Sequence, residues 1–545
     1  MTLTNAHRIP TILGLALALA AAIVLRATGI EGQVLADDEL HSVHAALAMP
    51  VGEIFQTWTF DGADYGVPTT LIHRFAMDRG LVFSELTFRA VSLAAGLVAI
   101  VLIPWLAAPR LGHRGAIGLS WLLAISPMLT TYSQIARPYM LAALLLSCAV
   151  LLFDRWLRER SRSTAVACAV AASLAIYSHL ATAPAVAGLF LFGTMRLRPH
   201  PSAARPLLGL VAATGLLVGA LLLPAWESLV SVITTTRDGQ PPSASAWFSV
   251  LRLQVGSLSG AGFIVAGLVA IRGVHVLWKR ERVFVTALAS VIAAQLAGLV
   301  LLAPDRLEEA VVLNRYVLVV LPLALMPLAV GATEPWWPGR SGRGGWVEVA
   351  LAAGGLILLF LGGPLASEDR ARNSFRHSLT SIDFNAQGNR IDPARVSRFY
   401  RDLANSIDSP VIEYPWQNMS FHAFDAYQRI HGQPVLVASV IDRRREKRLS
   451  LANHVDPDPD SILASNARYF IVHFDLHSET RQIESSDPHL DHWLRARREL
   501  WAPLRRAGNV MFLELSRTWG TPFYEDGVIA VWDLDAVRGD KKVAP

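Results

Sequence analysis

The stretch VLADDELHSVH, residues 34–44, places the carboxylates Asp37, Asp38 and Glu39 beside His41 and His44, just after an apolar run. Read as a short helix, Asp37, His41 and His44 fall within about a 60° arc at about 100° per residue, with Asp38 and Glu39 on neighbouring faces. Three accounts are open. A carboxylate at a water-facing rim can take the proton of an attacking hydroxyl. Two histidines three apart with acids nearby can also converge on one divalent ion such as Mg or Mn, although the pattern is not HExxH and spacing supplies no third His or Cys. Helix capping by Asp37 or Asp38, with acids at the positive helix end, needs no chemistry at all. Nothing else in the sequence calls for a cofactor.

Further polar residues recur at the ends of apolar runs. TWTFDGADYGVP brings Asp61, Asp64 and Tyr65, and Arg89 opens the next run. Gln134, Arg137 and Tyr139 fall in SPMLTTYSQIARPYML, His179 in IYSHLATAP, Glu227 in LPAWESL, and Arg315 with Tyr316 in VVLNRYVLVVLP. Snorkelling to the interface is the bland reading of Arg89, Arg137 and Arg315. Asp64, Tyr65, Tyr139, His179, Glu227 and Tyr316 are candidates for touching substrate, with helix capping the alternative for Glu227.

The elements that must position these residues are membrane spans. The chain has 545 residues, a mean hydropathy of +0.37, 52% hydrophobic and 17% charged residues, which is far too apolar for one soluble domain. Runs able to cross a hydrocarbon core of about 30 Å begin near Ile9, Arg89, Gly115, Pro138, Thr164, Leu180, Pro206, Ser257, Val283, Arg315 and Trp346, about eleven in all. The two runs flanking Ser178 and His179 also fit a single broken helix. PRLGHR, DRWLRERSRS, RLRPHPSAARP, RGVHVLWKRER and GRSGRG are alternate loops rich in Arg or Lys, which predicts a cytoplasmic N-terminus. The same distribution accounts for the net charge of +5 without a nucleic-acid surface. Cys148 and Cys168 lie inside apolar runs and offer no metal or disulfide pattern.

An odd number of spans places two long segments outside: residues 27–88, which hold the acidic stretch, and 364–545, of ordinary soluble composition. The expected organisation is therefore a membrane domain over 1–363 and an extracytoplasmic α/β domain over 364–545. In the latter PVIEYP, PVLVASVI, ARYFIVHF, NVMFLELS and VIAVWDL read as strands, and FHAFDAYQRIHG and DHWLRARRELWAPLRRAG as helices.

Taken in order, these motifs resemble those of the GT-C glycosyltransferases, particularly the protein O-mannosyltransferase and aminoarabinose-transferase branch that uses polyprenyl-phosphate-linked sugars. The resemblance covers about residues 9–335. It rests on Asp38-Glu39 after the first span, on Asp64 to Pro68 where relatives often have His-Pro-Pro, on FRAVSLAAG, on SPMLTTYSQIARPYML and on NRYVLVVLP. Gln134 stands where many relatives have Glu, and Gly-Val-Pro replaces the His-Pro-Pro signature.

The resemblance implies a polytopic α-helical membrane fold of GT-C type with a C-terminal soluble α/β domain. It further implies an enzyme of a bacterial inner membrane that moves a sugar from a polyprenyl-phosphate donor to an extracytoplasmic glycan, lipid or protein by one inverting displacement. Asp38 is then the base, Asp37 its alternative if the pairing slips by one, and Glu39 a support that orients or binds the acceptor; Arg89, Arg137 and Arg315, whose guanidinium forks suit phosphate oxygens, are then candidates for holding the donor phosphate. The expected partners are the lipid donor, the acceptor and the bilayer. Two other classes compete: a transporter or lipid flippase, expected to carry polar residues deep in its spans, and an inactive scaffold of the same fold.

Overall fold

The computed structural model describes residues 5–27, 39, 42, 45–46, 49–60, 63–64, 66–79, 85–198, 201–235, 241–256, 260–304, 307, 310–334, 396–406, 409–415, 427, 430–431, 433, 459–474 and 507–543. The helices used below are α1 (Asn5–Ala27), α2 (Val67–Asp78), α3 (Glu85–Ile125), α4 (Pro127–Ser133), α5 (Tyr139–Glu159), α6 (Arg162–Ser178), α7 (Ala183–Leu197), α8 (Pro201–Leu222), α9 (Trp226–Thr235), α10 (Ala244–Val255), α11 (Gly260–Leu302), α12 (Ala310–Leu318), α13 (Leu321–Thr333) and α14 (Arg398–Leu403).

Among the described residues, five helices are long and apolar enough to cross a membrane, or up to six when the bent pair α12–α13 is taken as one span. Two of the long ones are interrupted. In α3, Gly112 adopts φ +73°, a left-handed conformation that glycine takes without strain. The chain folds back there: Ser120 Oγ donates to the Ile100 carbonyl at 2.8 Å, whereas twenty residues of straight helix would separate them by about 30 Å. In α11 the break is at Glu281. These two breaks and the helices α1 and α6, which fall short of the length criterion, are why fewer helices are counted than the sequence leads one to expect. α6 ends at Ser178 and α7 starts at Ala183 after a short 3-10 turn. The expected span near Trp346 lies outside the described residues.

One buried cluster runs through the bundle, from Ala18 of α1 through Leu123, Leu146 and Leu189 to Val330 of α13. α11 and α13 cross with their backbones in contact: a Cβ on Gly273 would sit 1.7 Å from the Pro327 carbonyl oxygen, and one on Gly331 2.0 Å from that of Val269. Such crossings replace the hydrophobic driving force that lipid removes with close packing. Gly331→Leu is expected to push the helices apart and lower the thermal unfolding temperature of the detergent-purified protein, by the equivalent of about 1–3 kcal/mol or more. Gly267→Leu, where a Cβ meets nothing within 4 Å, is the control that should leave it unchanged.

The two ends of α3's first half carry different polar groups. At the far end, Arg110 grips both oxygens of Asp154 and also binds Glu281, while Arg280 binds both oxygens of Glu334. The acidic loop caps the other end. Ala45, Met49, Ile54, Trp58 and Val67 pack with Tyr177 of α6 and with Ala225 and Leu229 at the end of α8 and in α9. A two-residue hairpin, β1 (Thr59–Phe60) with β2 (Ala63–Asp64), precedes α2.

The C-terminal part holds a mixed sheet of β3 (Val411–Tyr414), β4 (Tyr469–His473), β5 (Tyr524–Glu525) and β6 (Ile529–Asp533) in the order β3-β4-β6-β5, with β3 and β4 parallel and the other pairs antiparallel. Three of the expected strands are present: those of PVIEYP, ARYFIVHF and VIAVWDL. PVLVASVI lies outside the described residues. NVMFLELS is a helix, not the expected strand, within the helical run 507–518. Its buried residues explain this, because Ala507, Met511 and Leu515 recur every four positions while Val510 and Leu513 are exposed. Apolar content hid a helical period.

Candidate functional site

The site assembles around the turn between α4 and α5, residues 134–138. Four backbone or side-chain groups of this turn are held from outside. The Ala136 N–H donates to Glu39 Oε1 at 2.7 Å, and the Ala136 carbonyl accepts from Ser42 Oγ at 3.2 Å. The Arg137 carbonyl accepts from Ser92 Oγ at 2.7 Å, and Gln134 Nε2 donates to the Arg26 carbonyl at 2.8 Å. Gly66 lets the first loop approach the same turn: it has φ +69°, and a Cβ there would lie 2.7 Å from Pro138.

Glu39 and Arg89 meet. Arg89 Nε donates to Glu39 Oε1 at 2.8 Å and Nη2 to Oε2 at 2.7 Å, with both side chains fully buried. This two-pronged pair is neutral as a unit, and Glu39's third donor, the Ala136 N–H, extends it into the turn. The pair thereby fixes the end of the acidic loop to the start of α3 and to the residue before Arg137. His73 of α2 supports it: Nε2 lies 2.7 Å from the Phe88 carbonyl, which makes this nitrogen the donor and leaves Nδ1 facing Ser42 Oγ at 3.5 Å. Burial pushes His73 down to about 4, so the ring is neutral at ordinary pH.

A second clasp lies one layer deeper. Arg26, at the end of α1 and fully buried, donates to the carbonyls of Leu123 and Ala124 and to Ser133 Oγ. It thus caps the C-terminal end of α3, where carbonyls lack helical partners. Gln134 returns the favour by capping α1 through its amide N–H. A carboxylate at position 134 would have no proton to offer that carbonyl.

From this turn a line of rings and cations crosses the bundle end. The Arg137 guanidinium sits 5.7 Å from the Tyr139 ring centre, Tyr139 5.0 Å from His179, and His179 5.6 Å from Tyr316, the neighbour of Arg315. His179 occupies the turn between α6 and α7, outside both helices. Its Nδ1 accepts from the Ala181 N–H at 3.2 Å, leaving Nε2 to carry the ring proton. Burial foremost, and then the charges of Arg137 and Arg315, hold the imidazole down at about 3. Arg137 and His179 are almost fully buried, and Arg315 is half-buried. Beneath them Gln295 Nε2 donates to the Tyr316 carbonyl at 3.0 Å, and Gln254 Nε2 donates to Asn314 Oδ1 at 2.7 Å.

The structure thus brings Glu39 to Arg89, and groups Arg137, Tyr139, His179, Arg315 and Tyr316. Glu227 does not take part: it is exposed in the first turn of α9, where an acid complements the helix end. Asp64 is placed by its backbone, paired with Thr59 in the hairpin. Asp37, Asp38, His41, His44 and Tyr65 lie outside the described residues. Ser42, His73, Arg26 and Ser92 were not singled out from the sequence; the legible signal was a polar side chain within apolar surroundings. Two arginines near a neutral N–H donor, with the rings of Tyr139 and Tyr316, make a cationic cluster suited to an anion with an apolar or sugar neighbour.

No family model matches the chain, and no curated protein sequence matches it. Among solved structures, the chain is similar to the apo form of ArnT from Cupriavidus metallidurans, with a TM-score of 0.54 and 15% identity over 95% of this chain and 97% of that one. It is also similar to the same enzyme bound to undecaprenyl phosphate, with a TM-score of 0.55 and 13% identity over the same shares. At this identity the likeness is one of fold: the helical bundle and the appended sheet together share the fold of the ArnT structures.

Proposed function

We propose that this chain is a membrane glycosyltransferase that moves a sugar from a polyprenyl-phosphate donor to an acceptor on the outer side of a bacterial inner membrane. The observation that carries the reading is the cluster of Arg137, His179 and Arg315 at one end of the bundle. The ArnT structure that holds undecaprenyl phosphate supports the donor class. The N-terminus is then cytoplasmic, and residues 364–545 form the extracytoplasmic domain.

A phosphate-linked sugar leaves with its electron pair on phosphate oxygen, so departure is helped by positive charge rather than by an acid. Arg137 and Arg315 supply that charge, and His179, neutral, offers a hydrogen bond from Nε2. The acceptor hydroxyl attacks the anomeric carbon from the opposite face as Asp38, or Asp37, takes its proton; the configuration inverts. Glu39 is a positioning residue in this scheme, because its carboxylate is committed to Arg89 and Ala136. Arg89 acts through Glu39, holding the acidic loop against the turn that carries Arg137. His41 and His44 are the residues that would take a divalent ion.

The test is a deletion strain examined by mass spectrometry of its envelope glycans and glycolipids, which identifies the missing sugar and its carrier. Wild-type protein should restore that sugar. Asp38→Asn should restore on the order of 10⁻² or less of it, the usual scale of a lost general base, while still binding undecaprenyl phosphate. Full restoration by both Asp37→Asn and Asp38→Asn would sink the assignment of the base; a flippase or scaffold gives that outcome.

A further inference from the structure

Arg315 is carried by a short helix, α12, whose placement depends on its neighbours. α12 spans nine residues and ends where the chain bends by 67° into α13, and a helix of that length needs tertiary contacts to persist. Its apolar side supplies them: Leu313 and Val317 pack with Ala246 and Val250 of α10 and with Leu299 of α11. Gln254 continues the Ala246–Val250 face of α10 at the next four-residue step and is buried like them. Its Nε2 donates to Asn314 Oδ1 at 2.7 Å. Asn314, fully buried, passes the contact on, with its Nδ2 3.4 Å from Met128 Sδ on α4. α10 also meets α4 directly: Gly256, just past its end, has φ +73°, and a Cβ there would lie 2.6 Å from Pro127 Cδ.

We propose that Gln254 and Asn314 are a positioning pair that sets the separation of Arg315 from Arg137 at the donor phosphate. This rests on the reading of those two arginines as the cations that hold the phosphate.

The two arginines come from different elements. Arg137 follows α4 in the turn of residues 134–138, whereas Arg315 sits on α12, and the charges of both reach His179. α10 touches both elements, through Asn314 beside Arg315 and through the start of α4. Apolar contact sets how far α10 and α12 stand apart, but it is non-directional and tolerates sliding. A hydrogen bond weakens steeply with distance and angle, so the Gln254–Asn314 contact forms in one register of α10 on α12. The residue on the other side of Arg315 is held as well, because Gln295 of α11 donates from Nε2 to the Tyr316 carbonyl.

These amides are poor choices for stability alone. Among the described residues neither Gln254 Oε1 nor Gln295 Oε1 has a donor, although both are buried. A leucine at either position would leave no side-chain polar atom of its own unpaired. Amides kept at half their hydrogen-bonding capacity in an apolar layer are better explained by the register they impose.

Titration calorimetry of the full chain with undecaprenyl phosphate in micelles tests the proposal. Gln254→Met keeps the length of the side chain and removes the donor. Loosening α12 lowers the fraction of protein with Arg315 in place, so the dissociation constant should rise by about three- to tenfold, the range set by one hydrogen bond. In an Arg315→Gln background the placement of residue 315 no longer matters, and the same change should cost about twofold or less. Gln254→Asn shortens one partner and should act like Gln254→Met. Adding Asn314→Gln restores the summed length of the pair and should bring the affinity back to within about twofold of wild type. This exchange of amides decides the matter if Gln254→Met does not fold. Unchanged affinity in Gln254→Met overturns the proposal, as does an equal loss with and without Arg315, or an exchange that restores nothing. Each of these leaves the phosphate reading standing so long as Arg315→Gln itself binds weakly. Wild-type affinity in Arg315→Gln overturns that reading, and the proposal with it.

Discussion

Replacing Arg89 by Met is expected to cost about 3–5 kcal/mol and to abolish sugar transfer, because it leaves the Glu39 carboxylate buried with a single backbone donor. The double variant Arg89→Met with Glu39→Met separates stability from function. Removing both charges restores a neutral, apolar interior, and such replacements are often close to neutral in stability. Folding, read as thermal unfolding of the purified protein, should therefore recover most of the loss. Transfer should not recover, since the Ala136 N–H then has no acceptor and the turn bearing Arg137 loses its anchor to the acidic loop. A double variant as active as wild type would show that the pair only glues α3 to the loop.

That pair also marks where the sequence stopped being readable. Asp38-Glu39 and Arg89 were each legible as polar residues beside apolar runs, and the resemblance implied a separate chemical role for each. Their partnership was not legible, because 50 residues separate them and no periodicity links a loop to a span it follows. The order of the arginines was more informative: Arg137 and Arg315 do fall at one end of the bundle with Tyr139, His179 and Tyr316. Composition alone made the chain polytopic, and the reversal at Gly112 falls inside PRLGHR, the Arg-rich loop expected between the runs that begin near Arg89 and Gly115. In the C-terminal part, short β-branched runs located β3, β4 and β6 correctly. NVMFLELS failed because a buried helix face and a strand share the same residue types over so short a length.

Loss of the cations should weaken donor binding more than any other single change outside the acidic loop. A hydrogen bond to a charged group is worth about 1.5–3 kcal/mol, so Arg137→Gln or Arg315→Gln should each raise the dissociation constant for undecaprenyl phosphate by about 10- to 100-fold, measured by titration calorimetry in micelles. Arg315→Lys keeps the charge but loses the planar fork, and should fall between. The two sites share one anion, so the double variant should cost less than the sum of the singles. His179 distinguishes a phosphate-binding cluster from a general basic patch. Held neutral beside two arginines, it contributes a directed Nε2–H and no charge. His179→Ala should therefore weaken binding without changing its salt dependence, whereas each arginine variant should flatten that dependence. Glu227→Gln, exposed in the first turn of α9, should bind as wild type does. Equal affinity in wild type and in both arginine variants would move the phosphate elsewhere. It would leave Arg137 and Arg315 as structural cations at the bundle end.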